Sequence, residues 1–411
     1  SFSKFNHLEI IPCIQKNGLW ILELFHGPTF SFKDVALQFL GNLLEYLLQS
    51  SQSSDPSFLT ILGATSGDTG SAAIEGLRGK KNVYCVILYP DGKVSQIQEK
   101  QMISVLDENI FCLAIQGDFD TAQKIVKDIF SDQSFSKEYN LCAINSINWA
   151  RILVQTTYYF YSYLKISKDD SSLINYCVPT GNFGNILAGY YAKRMGLPIG
   201  KLVVCTNEND VLHRFIQTGV YRRLPSQETL APSMDIAVSS NLERYLYYLS
   251  GENSDIVSLW MKTFEITGEV SVGNEKLTQI QQDFLSYCSD RNSILETIRE
   301  TWINSSYLLC PHSATAVNSA KHLKLVSLNT ICLATAHPGK FYSSILQAFT
   351  SEENLSFPPL PPIPNELNNL FITQQNKHLI PGNINSIKQF IQTHLSLKKS
   401  LQNKENKERK V

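Results

Sequence analysis

The sequence predicts an α/β fold built on parallel sheets, and three observations support this prediction. From residue 56 to about residue 205, short β-branched or aromatic runs alternate with helical stretches, as in βαβ units. Loops rich in Gly, Ser, Thr and Asn follow several of these runs and precede helices. The chain has 411 residues, of which 43% are hydrophobic, so two or three domains with sizeable cores are expected.

The first series contains three βα units. The predicted strands are residues 58–62, 83–89 and 110–115. The helices that follow them are residues 71–77, a helix that ends near Leu106, and a helix opened by Gly117 and Asp118. The apolar face of the last helix is formed by Ile125, Ile129 and Phe130. These three units are expected to form one α/β layer.

A second series follows and could form a second sheet. It consists of a helix at 149–164, a strand at 173–178, a loop at 179–185, a helix at 186–195 and a strand at 202–205. Residues 219–305 are mostly helical in pattern, and 329–335 is the last strand predicted. Residues 49–56 form a polar linker, residues 358–364 a stiff proline-rich segment, and residues 401–410 a solvated tail without an apolar face.

Composition excludes several classes of protein. The formal net charge is -1, so the chain lacks the positive field that attracts nucleic acid, and no nucleic-acid partner is expected. The longest apolar candidate, residues 35–48, is interrupted by Gln38, Asn42 and Glu45, so no membrane span is predicted. The nine cysteines are scattered and include no C-x-x-C pair, so they do not resemble a disulfide framework. This pattern favours a reducing compartment, and a cytoplasmic protein is expected. The eight histidines lack ligand spacing, so no metal site is predicted.

The segment from Glu23 to Asp34, ELFHGPTFSFKD, is the first candidate functional loop. A turn at its Gly-Pro pair leads into a helix capped by Thr29 or Ser31, which places Lys33 in the first helical turn. The helix dipole disfavours a cation there. Two interpretations remain open: a surface lysine paired with Asp34, or a desolvated lysine that acts as an amine nucleophile toward a carbonyl group.

Three further loops lie at strand-to-helix junctions. Residues 63–70, GATSGDTG, could bind a carboxylate or phosphate through hydroxyl and N–H groups. Residues 181–185, GNFGN, have the geometry of a phosphate cradle, although an ordinary βα turn is equally consistent with this segment alone. In residues 334–339, ATAHPG, Thr335 offers a hydroxyl, whereas His337 is interpreted as a structural cap. An amine nucleophile together with anion-binding loops suggests pyridoxal 5'-phosphate.

Five motifs together resemble the threonine synthase family over about residues 19 to 345. They are ELFHGPTFSFKD at 23–34, ATSGDTG at 64–70, NSINWAR at 145–151, PTGNFGN at 179–185 and ATAHP at 334–338. Two more, IQEKQM at 97–102 and YLLCPHSATAVN at 307–318, are similar to the animal threonine-synthase-like phospho-lyases. The family usually has alanine where this chain has Gly339. The family also has several tens of residues before the lysine motif, whereas this chain has about 32, so its N-terminal segment is expected to be largely missing.

The resemblance implies a fold-type-II pyridoxal-phosphate enzyme with two parallel-sheet α/β domains and the cofactor in the cleft between them. It also implies that Lys33 holds the cofactor and moves protons, and that Thr335 hydrogen-bonds the pyridine nitrogen. The implied cofactor-phosphate cradle is formed by Gly181, Asn182, Phe183, Gly184 and Asn185. The implied substrate-binding residues are Thr65, Ser66, Asp68, Thr69, Asn148 and Arg151.

The implied reaction converts O-phosphohomoserine to threonine by loss of phosphate and addition of water. Two alternatives stay open: a catabolic phospho-lyase that converts O-phosphohomoserine or O-phosphothreonine to 2-oxobutyrate, ammonia and phosphate, and an inactive relative that binds another protein. The expected partner is a small phosphorylated amino acid, and a homodimer is expected from the family. The predicted division is 1–50 with the lysine, 56–147 as a smaller α/β domain, 148–350 as a larger cofactor domain, and 351–411 as an extension.

Overall fold

The computed structural model describes residues 2–50, 58–169, 171–350 and 359–395. The solvated tail predicted at 401–410 and most of the linker predicted at 49–56 lie outside the described residues. The described part of the proline-rich segment, residues 359–364, contains neither helix nor strand. Among the described residues, no helix is both long and apolar enough to cross a membrane. No cluster of three or more His, Cys, Asp or Glu side chains in these ranges could hold a metal ion.

Alternation of strands and helices dominates the first part of the chain. The elements in order are β1 Cys13–Lys16, β2 Leu19–Glu23, α1 Lys33–Ser50, β3 Leu59–Ala64, α2 Asp68–Leu77, β4 Val83–Pro90, α3 Gln96–Ile103, β5 Ile110–Ile115, α4 Phe119–Ser131, α5 Gln133–Glu138 and β6 Leu141–Ala143. All three βα units of the first predicted series are confirmed, and β5 has the predicted bounds.

The second part of the chain is richer in helices. Its elements are α6 Trp149–Ile166, β7 Ile174–Pro179, α7 Gly184–Arg194, β8 Ile199–Thr206, α8 Val211–Thr218, β9 Val220–Arg222, the 3₁₀ turn Pro232–Met234, α9 Leu242–Leu249, α10 Ser254–Thr267, β10 Glu269–Ser271, α11 Asn274–Asp283, β11 Phe284–Cys288, α12 Arg291–Ser305, α13 Pro311–His322, β12 Thr330–Ala334, the 3₁₀ turn Pro338–Phe341 and α14 Tyr342–Thr350. The final elements are α15 Asn365–Asn369, β13 His378–Ile380 and helix α16 at 384–395.

The chain divides into two compact units. The first unit contains Leu37–Asn148 and the described residues from Asn365 onward, and the second contains Lys4–Ala36 and Trp149–Pro364. The predicted extension 351–411 is therefore shared: its described part up to Pro364 belongs to the second unit, and the part from Asn365 onward belongs to the first. Helix α1 crosses the boundary after its first turn.

The sheet of the first unit is fully parallel, with strand order β13-β5-β4-β3-β6. β13 shows that the expectation of no strand after residue 335 was wrong. Three residues are too few to produce a recognisable alternation, and β13 is held instead by pairing with β5. Helix α16 follows it and buries Ile387, Ile391 and Leu395, spaced four residues apart, in the apolar core beside the sheet.

The sheet of the second unit has the order β1-β2-β12-β7-β8-β11. This sheet confirms the second sheet expected from the sequence. Within it only the β1–β2 pair is antiparallel. β11 was not predicted, because its region has a mostly helical pattern. The core packs β2, β7, β8 and β12 against α12, α13 and α14. Because β2, β12, β7 and β8 are parallel neighbours, the loops after them leave the same edge of the sheet.

Candidate active site

The segment before Lys33 is hydrogen-bonded to the segment that carries Thr335. Phe32 N donates to Thr335 O at 2.8 Å, and His337 N donates to Phe30 O at 3.1 Å. An isolated antiparallel bridge lies between these two bonds. The loop after β2 and the loop after β12 therefore run side by side, and their backbones fix the start of α1 next to the end of β12.

Lys33 is the first residue of α1, so its predicted place in the first helical turn is confirmed. Lys33 N donates to Ser31 Oγ at 3.3 Å, which identifies Ser31 as the residue that receives the first N–H of the helix. The Lys33 ammonium lies 5.5 Å from the centroid of the Phe32 ring. The lysine is half-buried, which leaves its amine within reach of a ligand.

Asp34 is fully buried and anchors the residue beside Lys33. Its carboxylate accepts hydrogen bonds from Thr29 N at 2.8 Å and Thr29 Oγ1 at 2.7 Å. Lys340 Nζ donates to Thr29 O at 2.9 Å. Burial raises the pKa of Asp34 to about 6, and the Thr29 hydrogen bonds and the Lys340 charge oppose this rise. A Cβ on Gly27 would lie 2.4 Å from the Asp34 Cβ, so only glycine fits at that position.

The GNFGN loop connects β7 to α7. Phe183 is buried with φ 60°, a left-handed conformation that is strained for an aromatic residue and common at functional sites. A Cβ on Gly181 would lie 3.1 Å from Met234 Cα and 3.2 Å from Ser233 O. The loop is therefore packed closely against the 3₁₀ turn at 232–234, and a larger residue at 181 would force one of them to move.

Two carbonyl groups of this loop are satisfied by the segment 239–241. Ser239 Oγ donates to Gly181 O at 2.8 Å, and Asn241 Nδ2 donates to Asn182 O at 2.9 Å. Ser240 Oγ donates to Asn182 Oδ1 at 3.0 Å. The side chains of residues 239–241 thus hold the GNFGN loop in place by donating hydrogen bonds to its oxygen atoms. The helix N-terminus that follows the loop supplies N–H groups of the kind that bind phosphate.

Asn185 contributes a buried polar side chain at the start of α7. Its Oδ1 accepts hydrogen bonds from Tyr158 OH at 2.7 Å and Tyr159 OH at 2.8 Å. Its Nδ2 is buried and has no hydrogen-bond partner among the described residues. A buried donor without an acceptor costs about 1–3 kcal/mol, so an anionic oxygen at Nδ2 would be favourable.

Helix α6 carries Arg151 in its first turn. The side chain is buried, and burial lowers the pKa of its guanidinium to about 10. A desolvated guanidinium is stabilised by a carboxylate or phosphate, which it can bind through two parallel N–H donors. Asn148, immediately before α6, donates from Nδ2 to Ala143 O at 3.3 Å.

The loop at 64–70 belongs to the first unit and is held by hydrogen bonds to the side chain of Thr65 and from Gln98 of α3. Thr65 Oγ1 accepts hydrogen bonds from Gly67 N at 3.0 Å and Gly70 N at 2.9 Å. Asp68 Oδ1 accepts from Gln98 Nε2 at 3.0 Å, and both side chains are buried. Ser66 is exposed. The loop thus exposes Ser66 on a framework fixed by Thr65 and Gln98.

The predicted residues fall into two groups. In the second unit are Lys33, Gly181, Asn182, Phe183, Gly184, Asn185, Thr335 and Arg151, and in the first unit are Thr65, Ser66, Asp68, Thr69 and Asn148. His337 caps the 3₁₀ turn at 338–341 through a bond from Gly339 N to its Nδ1 at 3.0 Å, in agreement with its interpretation as structural. Sequence reasoning missed Tyr158, Tyr159 and Lys340. The two tyrosines follow the pattern of core residues, and Lys340 contacts Thr29, more than 300 residues away in sequence, only in the folded chain.

Comparison with known proteins found two matching family models and several similar chains. A family model described as pyridoxal-phosphate dependent enzyme matches residues 8–259, and one described as threonine synthase, C-terminal, matches residues 313–391. A threonine synthase of Schizosaccharomyces pombe is 45% identical, covering 97% of this chain and 84% of its own length. The human threonine synthase-like 2 is 38% identical, covering 86% of this chain and 74% of its own. A PLP-bound threonine synthase of Brucella melitensis is 37% identical at a TM-score of 0.87, covering 96% and 82%.

Proposed function

Because this chain belongs to the threonine synthase family of pyridoxal-phosphate-dependent enzymes, we propose that Lys33 holds the cofactor and transfers protons during the reaction. The reaction removes phosphate from O-phosphohomoserine and adds water to give threonine. When bound, the cofactor supplies an electron-accepting ring that makes the substrate α-proton acidic. The observation that carries the proposal is the backbone hydrogen bond from Phe32 to Thr335, which places the half-buried residue Lys33 next to the end of β12. The GNFGN loop follows β7, the strand beside β12, at the same edge of the sheet.

The residues of the second unit fit the cofactor. Asn185 Nδ2 is a buried donor that lacks an acceptor among the described residues, and a phosphate oxygen supplies one. The absence of a Cβ at Gly181 permits the close packing that shapes the cradle. The cradle residues would hold the phosphate through backbone N–H groups and the Asn185 amide. Thr335 would hydrogen-bond the pyridine nitrogen through a hydroxyl, which does not keep that nitrogen protonated as an aspartate does.

Lys33 acts through its Nζ atom. Its neutral amine takes the proton from the substrate Cα, and a second proton leaves Cβ as phosphate departs from Cγ. Cγ then takes up a proton, water adds its hydroxyl group at Cβ, and Cα regains a proton, which gives threonine. Asp34 keeps the backbone beside Lys33 rigid, because its carboxylate is fixed by two hydrogen bonds from Thr29. A rigid support of this kind keeps a proton-transfer group within reach of its target.

The substrate-binding roles are also proposals. Arg151 binds a carboxylate or phosphate of the substrate, because its buried guanidinium gains most from an anion. Ser66 offers the exposed hydroxyl of its loop, and Asp68 is oriented by Gln98. The remaining proposed substrate-binding residues are Thr65, Thr69 and Asn148.

Replacement of Arg151 tests this assignment. We expect Arg151→Met to lower kcat/KM for O-phosphohomoserine about 30-fold, because a charge-assisted hydrogen bond contributes about 1.5–3 kcal/mol. The visible absorbance of the bound cofactor should stay unchanged. Arg222→Met, which removes an exposed arginine of the same unit, is the matched control and should keep the wild-type kcat/KM. Wild-type kcat/KM in Arg151→Met would rule out the proposed role of Arg151.

A second candidate function is the catabolic phospho-lyase reaction, in which the intermediate leaves as 2-oxobutyrate and ammonia. The similarity to the human threonine synthase-like 2 favours it, but the identity to a threonine synthase is higher. Both reactions use the same lysine and phosphate cradle, so the identity of the product decides between them. We also propose a homodimer, which light scattering on the purified chain would test.

A further inference from the structure

His312 and Ser313 are adjacent residues in the first turn of α13 and face different parts of the site. Both side chains are buried, and the proposed reaction assigns neither of them a role. His312 Nε2 accepts a hydrogen bond from Ser233 N at 3.1 Å. A neutral imidazole that accepts at Nε2 carries its proton on Nδ1, so this contact requires one tautomer.

The contact made by His312 reaches the phosphate cradle through one intermediate. Ser233 belongs to the 3₁₀ turn at 232–234, and this turn packs against Gly181 so closely that a Cβ there would lie 3.2 Å from Ser233 O. The His312 ring itself packs against Phe341, with 4.6 Å between ring centroids. His312 therefore holds the 3₁₀ turn at 232–234, against which the GNFGN loop packs.

The contact made by Ser313 reaches Thr335 directly. Thr335 N donates to Ser313 Oγ at 3.2 Å, and Thr335 is itself buried. Ser313 Oγ is also 3.0 Å from Cys310 Sγ, which holds the hydroxyl in one orientation. Ser313 thus fixes the backbone of the residue proposed to bind the pyridine nitrogen.

We propose that His312 and Ser313 are positioning residues that set the phosphate cradle and Thr335 at the separation that the cofactor requires. His312 contacts the turn at 232–234 and Ser313 contacts Thr335, so loss of one contact leaves the other in place. This inference rests on the proposed function, because it assumes that the GNFGN loop binds the cofactor phosphate.

The test compares binding of pyridoxal phosphate and of pyridoxal, which lacks the phosphate, to the 411-residue chain without cofactor. In His312→Ala the Ser233 N–H loses its acceptor, and we expect the Kd of pyridoxal phosphate to rise about tenfold while that of pyridoxal stays unchanged. His312→Gln, whose Oε1 can replace Nε2 as acceptor, should restore binding. Ser313→Ala should weaken both ligands and shift the absorbance maximum, and Ser313→Thr should behave as the wild type.

Equal weakening of both ligands in His312→Ala, or failure of His312→Gln to restore binding while its circular dichroism is native, would overturn the proposal. So would wild-type affinity in His312→Ala, or an unshifted absorbance maximum in Ser313→Ala. If the wild type binds pyridoxal phosphate covalently and Lys33→Ala does not, the proposed function stands, and the outcomes that overturn the proposal count against the positioning role alone. If the wild type does not bind the cofactor, the proposed function fails, and this inference fails with it.

Discussion

Lys33→Ala should abolish the visible absorbance of the lysine-bound cofactor and lower kcat by about 10³-fold or more, because it removes the amine proposed both to attach the cofactor and to transfer protons. The change leaves the support of the site intact. The loop before Lys33 is held by backbone bonds to the segment 335–337, and Asp34 is held by Thr29. Absorbance spectra and steady-state rates on the same preparation provide the measurement.

The matched control for this variant is Lys262→Ala, which removes an exposed lysine of the same unit. It should be yellow and fully active. A Lys33→Ala protein that keeps the wild-type absorbance band and rate would show that another amine holds the cofactor. Loss of the band in Lys262→Ala would show that the band does not report on the proposed site.

Asn185→Asp should weaken binding of pyridoxal phosphate about 100-fold at pH 8, because an aspartate of the same shape places a negative charge where we propose that the phosphate binds. The acceptor role is preserved: an aspartate oxygen can still receive the hydroxyls of Tyr158 and Tyr159. Only the donor Nδ2 is lost. Pyridoxal, which has no phosphate, should lose far less affinity, and titration of both ligands measures the difference.

Protonation provides an internal check on this variant. At lower pH a buried aspartate takes up a proton and regains a donor, so the affinity for pyridoxal phosphate should partly recover. Asn292→Asp, an exposed change on α12 in the same unit, is the control and should bind both ligands normally. Binding of pyridoxal phosphate by Asn185→Asp within about threefold of the wild type would contradict the assignment of Asn185 to the phosphate cradle.

Local sequence signals were sufficient for the βα units and for the placement of Lys33. β5 is fully buried and β-branched or apolar throughout, so its bounds were predicted directly from its composition. The turn and cap residues before Lys33 likewise predicted the start of α1, because capping depends on neighbouring residues. The position of the GNFGN loop between β7 and α7 was predicted from its glycines and the helical pattern that follows it.

Features that depend on contacts distant in sequence could not be predicted. β13 exists because a three-residue segment pairs with β5, more than 250 residues earlier in the chain. Asn185 is oriented by two tyrosines of α6, and aromatic residues on an amphipathic helix resemble ordinary core. Lys340 and His312 contact segments that only the fold brings near them. Such contacts leave no periodic signal along the chain.

The most direct test of the central claim is the identity of the product formed from O-phosphohomoserine by the purified chain with pyridoxal phosphate. We expect threonine and inorganic phosphate in equal amounts, both lost in Lys33→Ala. Amino-acid analysis together with a phosphate assay provides both quantities in one experiment. Formation of 2-oxobutyrate and ammonia without threonine, or no release of phosphate by a yellow protein, would contradict the account.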